Sequence, residues 1–171
     1  KSPTGEVIEE KESLRDLGIT MSNDLSFDEH IEKIVTKGIQ LSGWVLRTFT
    51  TRKTDAMMLL FKQLIRSGLE YCCPLWSPNK EELIQKVENV QRTFTRKISG
   101  LSGINRPNYW ERLQLLNIYS LQRRRERYII LYTVKALNGS VPNPGFTLQT
   151  NPRTGPRIKV PLMGLSSGIM T

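Results

Sequence analysis

The 171 residues have a mass of 19.7 kDa, the size of one ordinary domain rather than two. Hydrophobic side chains make up 38% and charged ones 24%, and mean hydropathy is -0.36. No apolar run reaches the 18 residues a membrane span requires, so a globular chain with a core is expected and a transmembrane one is excluded. The chain starts at Lys1 with no cationic-then-apolar leader, and reads as a fragment of something longer without a secretory signal.

The net charge of +9 conceals an asymmetry. Residues 1–32 carry three basic and nine acidic side chains, whereas residues 33–171 carry 22 basic and seven acidic ones, a balance of +15. A chain that concentrates cations in this way has a polyanion, most often nucleic acid, as its first candidate partner. Cys72 and Cys73 are the only cysteines; adjacent thiols rarely meet disulfide geometry, and with His30 alone they cannot build a zinc site. A reducing, intracellular location (cytoplasmic, nuclear or both) is therefore expected.

In chain order, Glu6–Glu9 and Leu14–Met21 read as strands of an antiparallel hairpin around the charged turn at residues 10–13. Two strands are not stable alone, so the hairpin should pair with further sheet or lie on helices. From Ser26 the period becomes helical. Ser26 and Glu29 form a capping-box pair, and Phe27, Ile31, Ile34, Leu41, Val45 and Phe49 share one face, with Gly38 and Gly43 weakening the middle. A second helix begins near Thr54 and ends between Gly68 and Tyr71. The segment from Leu69 to Pro78 reads as an apolar corner packed between helices, around Trp76.

Ser77 and Pro78 suit the start of a third helix bearing Leu83, Ile84, Val87, Val90, Phe94 and Ile98, closed by Gly100 and Gly103. Asn108 with Glu111 caps a fourth, and Ser120 caps a fifth that ends before Gly139. The second half of that helix, from Tyr128 to Leu137, is apolar nearly all round and is expected to be buried. Beyond it lie five of the nine prolines and no acid, an irregular basic tail with one short strand near residues 158–160. The fold class is mainly α: an N-terminal β-hairpin, a bundle of about five helices, and the tail.

Catalytic constellations are scarce. There is no P-loop, dinucleotide fingerprint, metal-binding histidine pair on a helix or nucleophile elbow, and Glu81-Glu82 sits where it favours a helix dipole. A binding or scaffolding module is the reading, with neither catalytic residue nor metal site assigned. The positive signal is cationic: Arg92, Arg96 and Lys97 on one helix, Arg123, Arg124, Arg125 and Arg127 on another, and Arg47, Arg52 and Lys53 at a helix end and loop. Guanidinium forks match phosphate oxygens. Four arginines within five residues at a helix start are poorly explained as a solvated face, because cations there oppose the macrodipole.

Several ordered pieces resemble a known family. They include Leu14-Arg15-Asp16-Leu17-Gly18-Ile19, Leu25–Ile31, Leu64-Ile65-Arg66, Leu69-Glu70-Tyr71, Trp76-Ser77-Pro78, Val87–Arg92, Arg96–Gly100, Glu111-Arg112-Leu113 and Arg124-Arg125. Together they resemble the region that follows the catalytic palm in reverse transcriptases of LINE-type, jockey-like non-LTR retrotransposons, over residues 14–135. Gly38 and Ser67-Gly68 depart from that pattern.

The resemblance implies that residues 1–24 end a palm, with Leu17 and Gly18 in its primer grip, and that residues 25–139 form a helical thumb along the template-primer duplex. Residues 140–171 are the basic tail. The implied partners are an RNA/DNA duplex and an upstream palm of the same polyprotein, with no membrane. The family's two catalytic aspartates are absent here, so no polymerisation is expected from this chain alone, and magnesium is expected only in the absent palm. The alternative is a host-encoded helical interaction module derived from such an element, without polymerase activity.

Overall fold

A computed structural model of the chain describes residues 11–98, 101, 106–145, 147–151 and 155–159. The expected strand Glu6–Glu9 and the closing Gly100 and Gly103 lie outside the described residues. Strand β1 (Ser13–Asp16) pairs antiparallel with β2 (Ile19–Ser22), Leu14 opposite Met21 and Asp16 opposite Ile19. The reversal is therefore inside the expected second strand, not at residues 10–13. Leu17 (φ 45°) and Gly18 (φ 88°) form the two-residue turn, and positive φ at both positions gives the twist that antiparallel strands need.

The hairpin lies on α1 (Asp28–Thr48). Ile19 and Thr20 are buried, and the amide of Thr20, which faces away from β1 in this register, donates to His30 Nδ1 at 3.4 Å. Lys33 Nζ adds a bond to Thr20 Oγ1 at 3.3 Å. On the free edge of β2 the Thr20 amide thus finds its partner on α1, and the Ser22 amide donates to the Ser26 carbonyl at 3.1 Å.

At the start of α1 the expected Ser26–Glu29 capping box does not form: the cap position is Phe27, without a side-chain bond, and Ser26 Oγ accepts the Asp28 amide at 3.2 Å rather than that of Glu29. Glu29 instead forms an ion pair with Lys33 one turn ahead, at 2.7 Å. Ile31, Val35 and Val45 are buried, while Ile34 and Leu41 are half-buried. Gly38 is a crossing point rather than only a weak one: a Cβ there would stand 3.2 Å from both Leu69 Cδ2 and Val90 Cγ1.

Helix α2 (Thr54–Leu60), a π-helical stretch (Phe61–Arg66) and α3 (Ser67–Glu70) run consecutively. Met57, Phe61, Ile65 and Leu69 are buried at steps of four. In a pure α-helix each such step drifts by about 40°, and the wider π turn takes back part of that drift. Cys72 turns the chain at φ 52° into the single turn α4 (Cys73–Trp76). Trp76 is 1% exposed, donates its Nε1–H to the Tyr71 carbonyl at 2.8 Å and meets the His30 ring edge-on at 5.5 Å. Leu69, Cys73 and Trp76 of the expected apolar corner pack inward, whereas Tyr71 and Leu75 are exposed, each at 57%.

Helix α5 (Glu81–Thr95) starts three residues after Pro78. Lys80, which would have placed a cation in the first turn of an earlier start, is extended and pairs with Asp28 at 2.6 Å. Leu83, Val87, Val90 and Phe94 are buried, and Phe94 packs on Phe61 at 5.1 Å between ring centroids. Burial of each such side chain contributes about 1.5–3 kcal/mol. Helix α6 (Tyr109–Leu115) carries the expected box: Glu111 N–H donates to Asn108 Oδ1 at 3.0 Å and Asn108 N–H to Glu111 Oε2 at 2.8 Å.

Helix α7 (Leu121–Leu137) begins at Ser120, whose Oγ accepts the Arg123 amide at 3.2 Å. It closes through Gly139 (φ 72°), with Ser140 N–H on the Lys135 carbonyl and Gly139 N–H on that of Ala136, the reciprocal pair that satisfies terminal carbonyls. Two compact units divide the chain within this helix, Lys1–Arg125 and Glu126–Thr171.

In the second unit the expected burial of residues 128–137 is met only in part: Ala136 is buried, but Ile130, Leu131, Tyr132 and Val134 are exposed, Ile130 at 62%. Consecutive apolar positions point round a helix in all directions, so no single face can cover them. The tail is also more regular than expected. β3 (Thr147–Asn151) pairs antiparallel with β4 (Gly155–Lys159), Leu148 opposite Ile158. In a two-stranded ribbon both strands are edges, where a proline such as Pro156 is tolerated.

Candidate nucleic-acid interface

A polar stripe on α5 organises the basic helices. Glu88, Gln91 and Thr95 are buried beside the apolar face. Glu88 Oε1 accepts the Leu121 amide at 3.2 Å and Oε2 that of Gln122 at 3.0 Å, and the Tyr109 hydroxyl donates to the same carboxylate. Gln91 Nε2 donates to Tyr109 Oη at 3.0 Å and to the Tyr119 carbonyl at 3.1 Å. Burial, reinforced by the Glu88 charge, holds the Tyr109 phenol far above its ordinary range, so it stays a donor.

Arginines gather over the other side of Tyr109. Arg92 Cζ lies 4.8 Å and Arg112 Cζ 5.6 Å from its ring centroid, a favourable placement for a cation on an aromatic face. Arg92 is half-buried, and among the described residues its guanidinium donates only to amide oxygens, Asn89 Oδ1 at 2.7 Å and Gln85 Oε1 at 3.3 Å. Arg112 is buried; Nη1 donates to the Pro107 carbonyl at 2.9 Å, Nη2 to that of Arg92 at 3.3 Å, and Nε to Thr95 Oγ1 at 3.4 Å. Burial lowers the Arg112 pKa, and the positive charges of Arg96, Arg106 and Arg92 lower it further, the Tyr109 contribution opposing them.

Arg96 and Lys97 are exposed just past the end of α5. Arg123 is exposed over the Tyr119 ring at 5.4 Å. Among the described residues none of Arg92, Arg96, Lys97, Arg106, Arg112 or Arg123 is in an ion pair.

The remaining cations have different surroundings. Arg124 grips Glu70 with two bonds, Nη2 to Oε2 at 2.9 Å and Nε to Oε1, and Arg125 is buried. Arg52 turns onto the carbonyls of Leu46 and Phe49 at the end of α1. Arg47 is exposed, its guanidinium lying along Gly43, and Lys53 is exposed just before α2. Arg127 is exposed and belongs to the second unit. Charge clustering pointed to Arg92 and Arg96 but passed over Arg106 and Arg112, which are spaced singly along the sequence. The Asn108–Glu111 box is the signal that could have found them, because it fixes where α6 starts and so places Arg112 in its first turn.

At the hairpin tip, the Tyr71 hydroxyl donates to the Leu17 carbonyl at 3.3 Å. A cavity of about 620 Å³ opens beside it, lined by Arg15, Gly18, Thr20, Lys33, Lys37 and Tyr71 among others, with no carboxylate in its lining. Among the described residues no three His, Cys, Asp or Glu side chains gather as metal ligands, and no helix is long and apolar enough to cross a membrane.

A distant and partial similarity links this basic helical chain to RNA-directed DNA polymerases. Over 117 residues, 66% of the chain, it is 21% identical to a probable RNA-directed DNA polymerase from transposon X-element of Drosophila melanogaster, of which it spans only 13%. It is also 24% identical over 151 residues to an uncharacterized protein of Caenorhabditis elegans, an alignment covering 88% of this chain and 76% of that protein. No family model and no solved structure matches.

Proposed function

We propose that the chain is the post-palm part of a LINE-type reverse transcriptase and holds an RNA/DNA template-primer duplex by its phosphate backbone. In this reading the Leu17-Gly18 turn belongs to the primer grip, the helices after it are the thumb, and the polymerase aspartates and their magnesium belong to a palm elsewhere. What supports it is a set of cations on and just past α5, on α6 and at the start of α7, Arg92, Arg96, Lys97 and Arg123 among them, that have no ion-pair partner among the described residues, in a chain with distant polymerase similarity. Cations without carboxylate partners are suited to backbone binding, which carries no base preference.

The test is heteroduplex binding followed by fluorescence anisotropy from low to moderate salt. Affinity is expected to fall linearly on a log–log plot, with a slope of about -0.9 per neutralised phosphate. Arg92→Ala with Arg96→Ala should weaken all sequences alike. A flat salt response, or no binding at low salt, rejects the reading.

A second reading is a host-encoded helical module without polymerase function. The observation favouring it is the 76% coverage of the uncharacterized nematode protein, against 13% of the polymerase. Failure to bind duplex at low salt by a chain that still folds would select it.

A further inference from the structure

We propose that Arg92 and Arg112, which share the ring of Tyr109, form with the exposed Arg96 and Arg106 one phosphate-binding site for a nucleic-acid backbone. The inference rests on the duplex-binding reading above and assigns it a particular site, two of whose members, Arg106 and Arg112, the sequence pattern does not mark.

The geometry is built around Arg112. Its guanidinium ties the carbonyl of Pro107 to that of Arg92, so the segment that leads into α6 is fastened to the last turn of α5. Arg106 is the residue next to Pro107, and Arg96 follows Arg92 by four positions, which puts the two on one face of the helix end. Arg92 and Arg112 share the ring of Tyr109, at 4.8 and 5.6 Å. Tyr109 is itself fixed by Glu88 and Gln91. Two guanidinium groups are thereby held in place, and the side chains of Arg96 and Arg106 are exposed to solvent.

A purely structural cation cluster of this kind would be expected to recruit an acid. The nearby carboxylates are committed elsewhere: Glu88 to Tyr109 and the first amides of α7, Glu111 to the Asn108 amide. Among the described residues no acid pairs with these four cations; burial lowers the basicity of Arg112, and the like charges of Arg96, Arg106 and Arg92 lower it further. An anion placed among them removes the repulsion. A tetrahedral phosphate, with its several acceptor oxygens, can accept from more than one guanidinium fork, whereas a lone carboxylate is saturated by one fork.

The test joins two readouts on the full chain. In the first, thermal unfolding is compared in sodium phosphate and in sodium chloride at equal ionic strength. Phosphate should raise Tm, and Arg96→Ala with Arg106→Ala should abolish that rise while leaving Tm in chloride unchanged or higher, because repulsion has been relieved. Arg15→Ala with Lys37→Ala should keep the phosphate response. In the second, the Arg96/Arg106 variant should bind heteroduplex at least tenfold more weakly, with a salt slope shallower by about 0.9 for each phosphate it no longer neutralises. If the parent chain binds duplex and this variant binds equally well with an unchanged slope, the site is wrong and the broader reading survives. If the parent chain binds no duplex, that reading fails, and the phosphate-dependent Tm alone decides: a rise removed by the two substitutions supports an anion site, and no rise overturns it.

Discussion

The carboxylate of Glu88, in the middle of α5, stands under the first turn of α7 and accepts the amide of Leu121 at 3.2 Å. This contact resolves the oddity of four arginines crowding the start of a helix. A helix N-terminus is favoured by negative charge, and here the charge comes from 33 residues away rather than from the helix's own first turn. With the dipole answered by Glu88, Arg124 can turn to Glu70 and Arg123 can face solvent over Tyr119.

Glu88→Ala should therefore be among the most damaging substitutions in the chain. It strips partners from the amides of Leu121 and Gln122 and from the buried Tyr109 hydroxyl at once. Each buried polar group left unsatisfied costs about 1–3 kcal/mol, so a loss of several kcal/mol is expected by urea unfolding. Glu88→Gln retains one acceptor and should lose distinctly less. Equal losses for the two variants would show that side-chain volume, not hydrogen bonding, matters at this position.

Adjacent arginines on α7 should separate stability from binding. Arg124 and Glu70 are only 22% and 11% exposed at their side chains, and breaking a pair so placed leaves a poorly solvated charge. Arg124→Ala should destabilise by about 2 kcal/mol, below the 3–5 kcal/mol of a fully buried pair. Arg123→Ala, whose side chain is exposed, should leave the unfolding midpoint within about 0.5 kcal/mol of its parent and weaken heteroduplex binding instead. The pattern reversed, with Arg123 governing stability, would contradict the placement of both side chains.

Local signals are legible where one short stretch of chain decides the outcome. Asn108 and Glu111 make their box, Ser120 and Gly139 bound α7, and Trp76 is buried at its corner, because turn chemistry and apolar content act over a few residues. Expectation and structure part where a distant group competes. Glu29 is diverted from capping by Lys33, Lys80 is drawn to Asp28, and Gly38 takes its role from Leu69 and Val90, about thirty and fifty residues on. The buried polar stripe of Glu88, Gln91 and Thr95 has no signature in the sequence, since helical periodicity scores apolar residues and is blind to polar ones satisfied by other helices. For the candidate site, the clustering of cations marks Arg92 and Arg96, and wrongly adds Arg124, which is held by Glu70, while the singly spaced Arg106 and Arg112 need the fold to reveal them.

Acidification should weaken the junction between hairpin and helix through His30. Its imidazole is buried, which lowers its pKa from the ordinary 6.5, with Lys33 adding to the effect, and its Nδ1 must be unprotonated to accept the Thr20 amide. The folded pKa lies below the unfolded one, so between the two the unfolded chain binds more protons. Stability is then full above about pH 6.5 and is lost as pH falls below it. Urea midpoints measured from pH 7.5 to 5.5 should decline, and His30→Asn should start lower but show a flatter profile. A parent profile as flat as that of the variant would remove His30 as the cause.

Two glycines in α1 should respond in opposite directions although both sit inside the same helix. At Gly38 a Cβ would meet Leu69 Cδ2 and Val90 Cγ1 at 3.2 Å, side chains held in the core. Gly38→Val adds further methyls to that crossing and should destabilise by about 1–3 kcal/mol, the usual cost of overpacking. At Gly43 a Cβ meets only the far end of the Arg47 side chain, at 3.3 Å, an exposed group free to swing aside. Gly43→Ala should accordingly gain about 0.5–1 kcal/mol from helix propensity and a less disordered unfolded chain. Denaturant midpoints of the two variants, read beside the parent, check both signs together: a stabilised Gly38→Val would mean that α1 does not cross α3 and α5 as closely as its approach to Leu69 and Val90 requires.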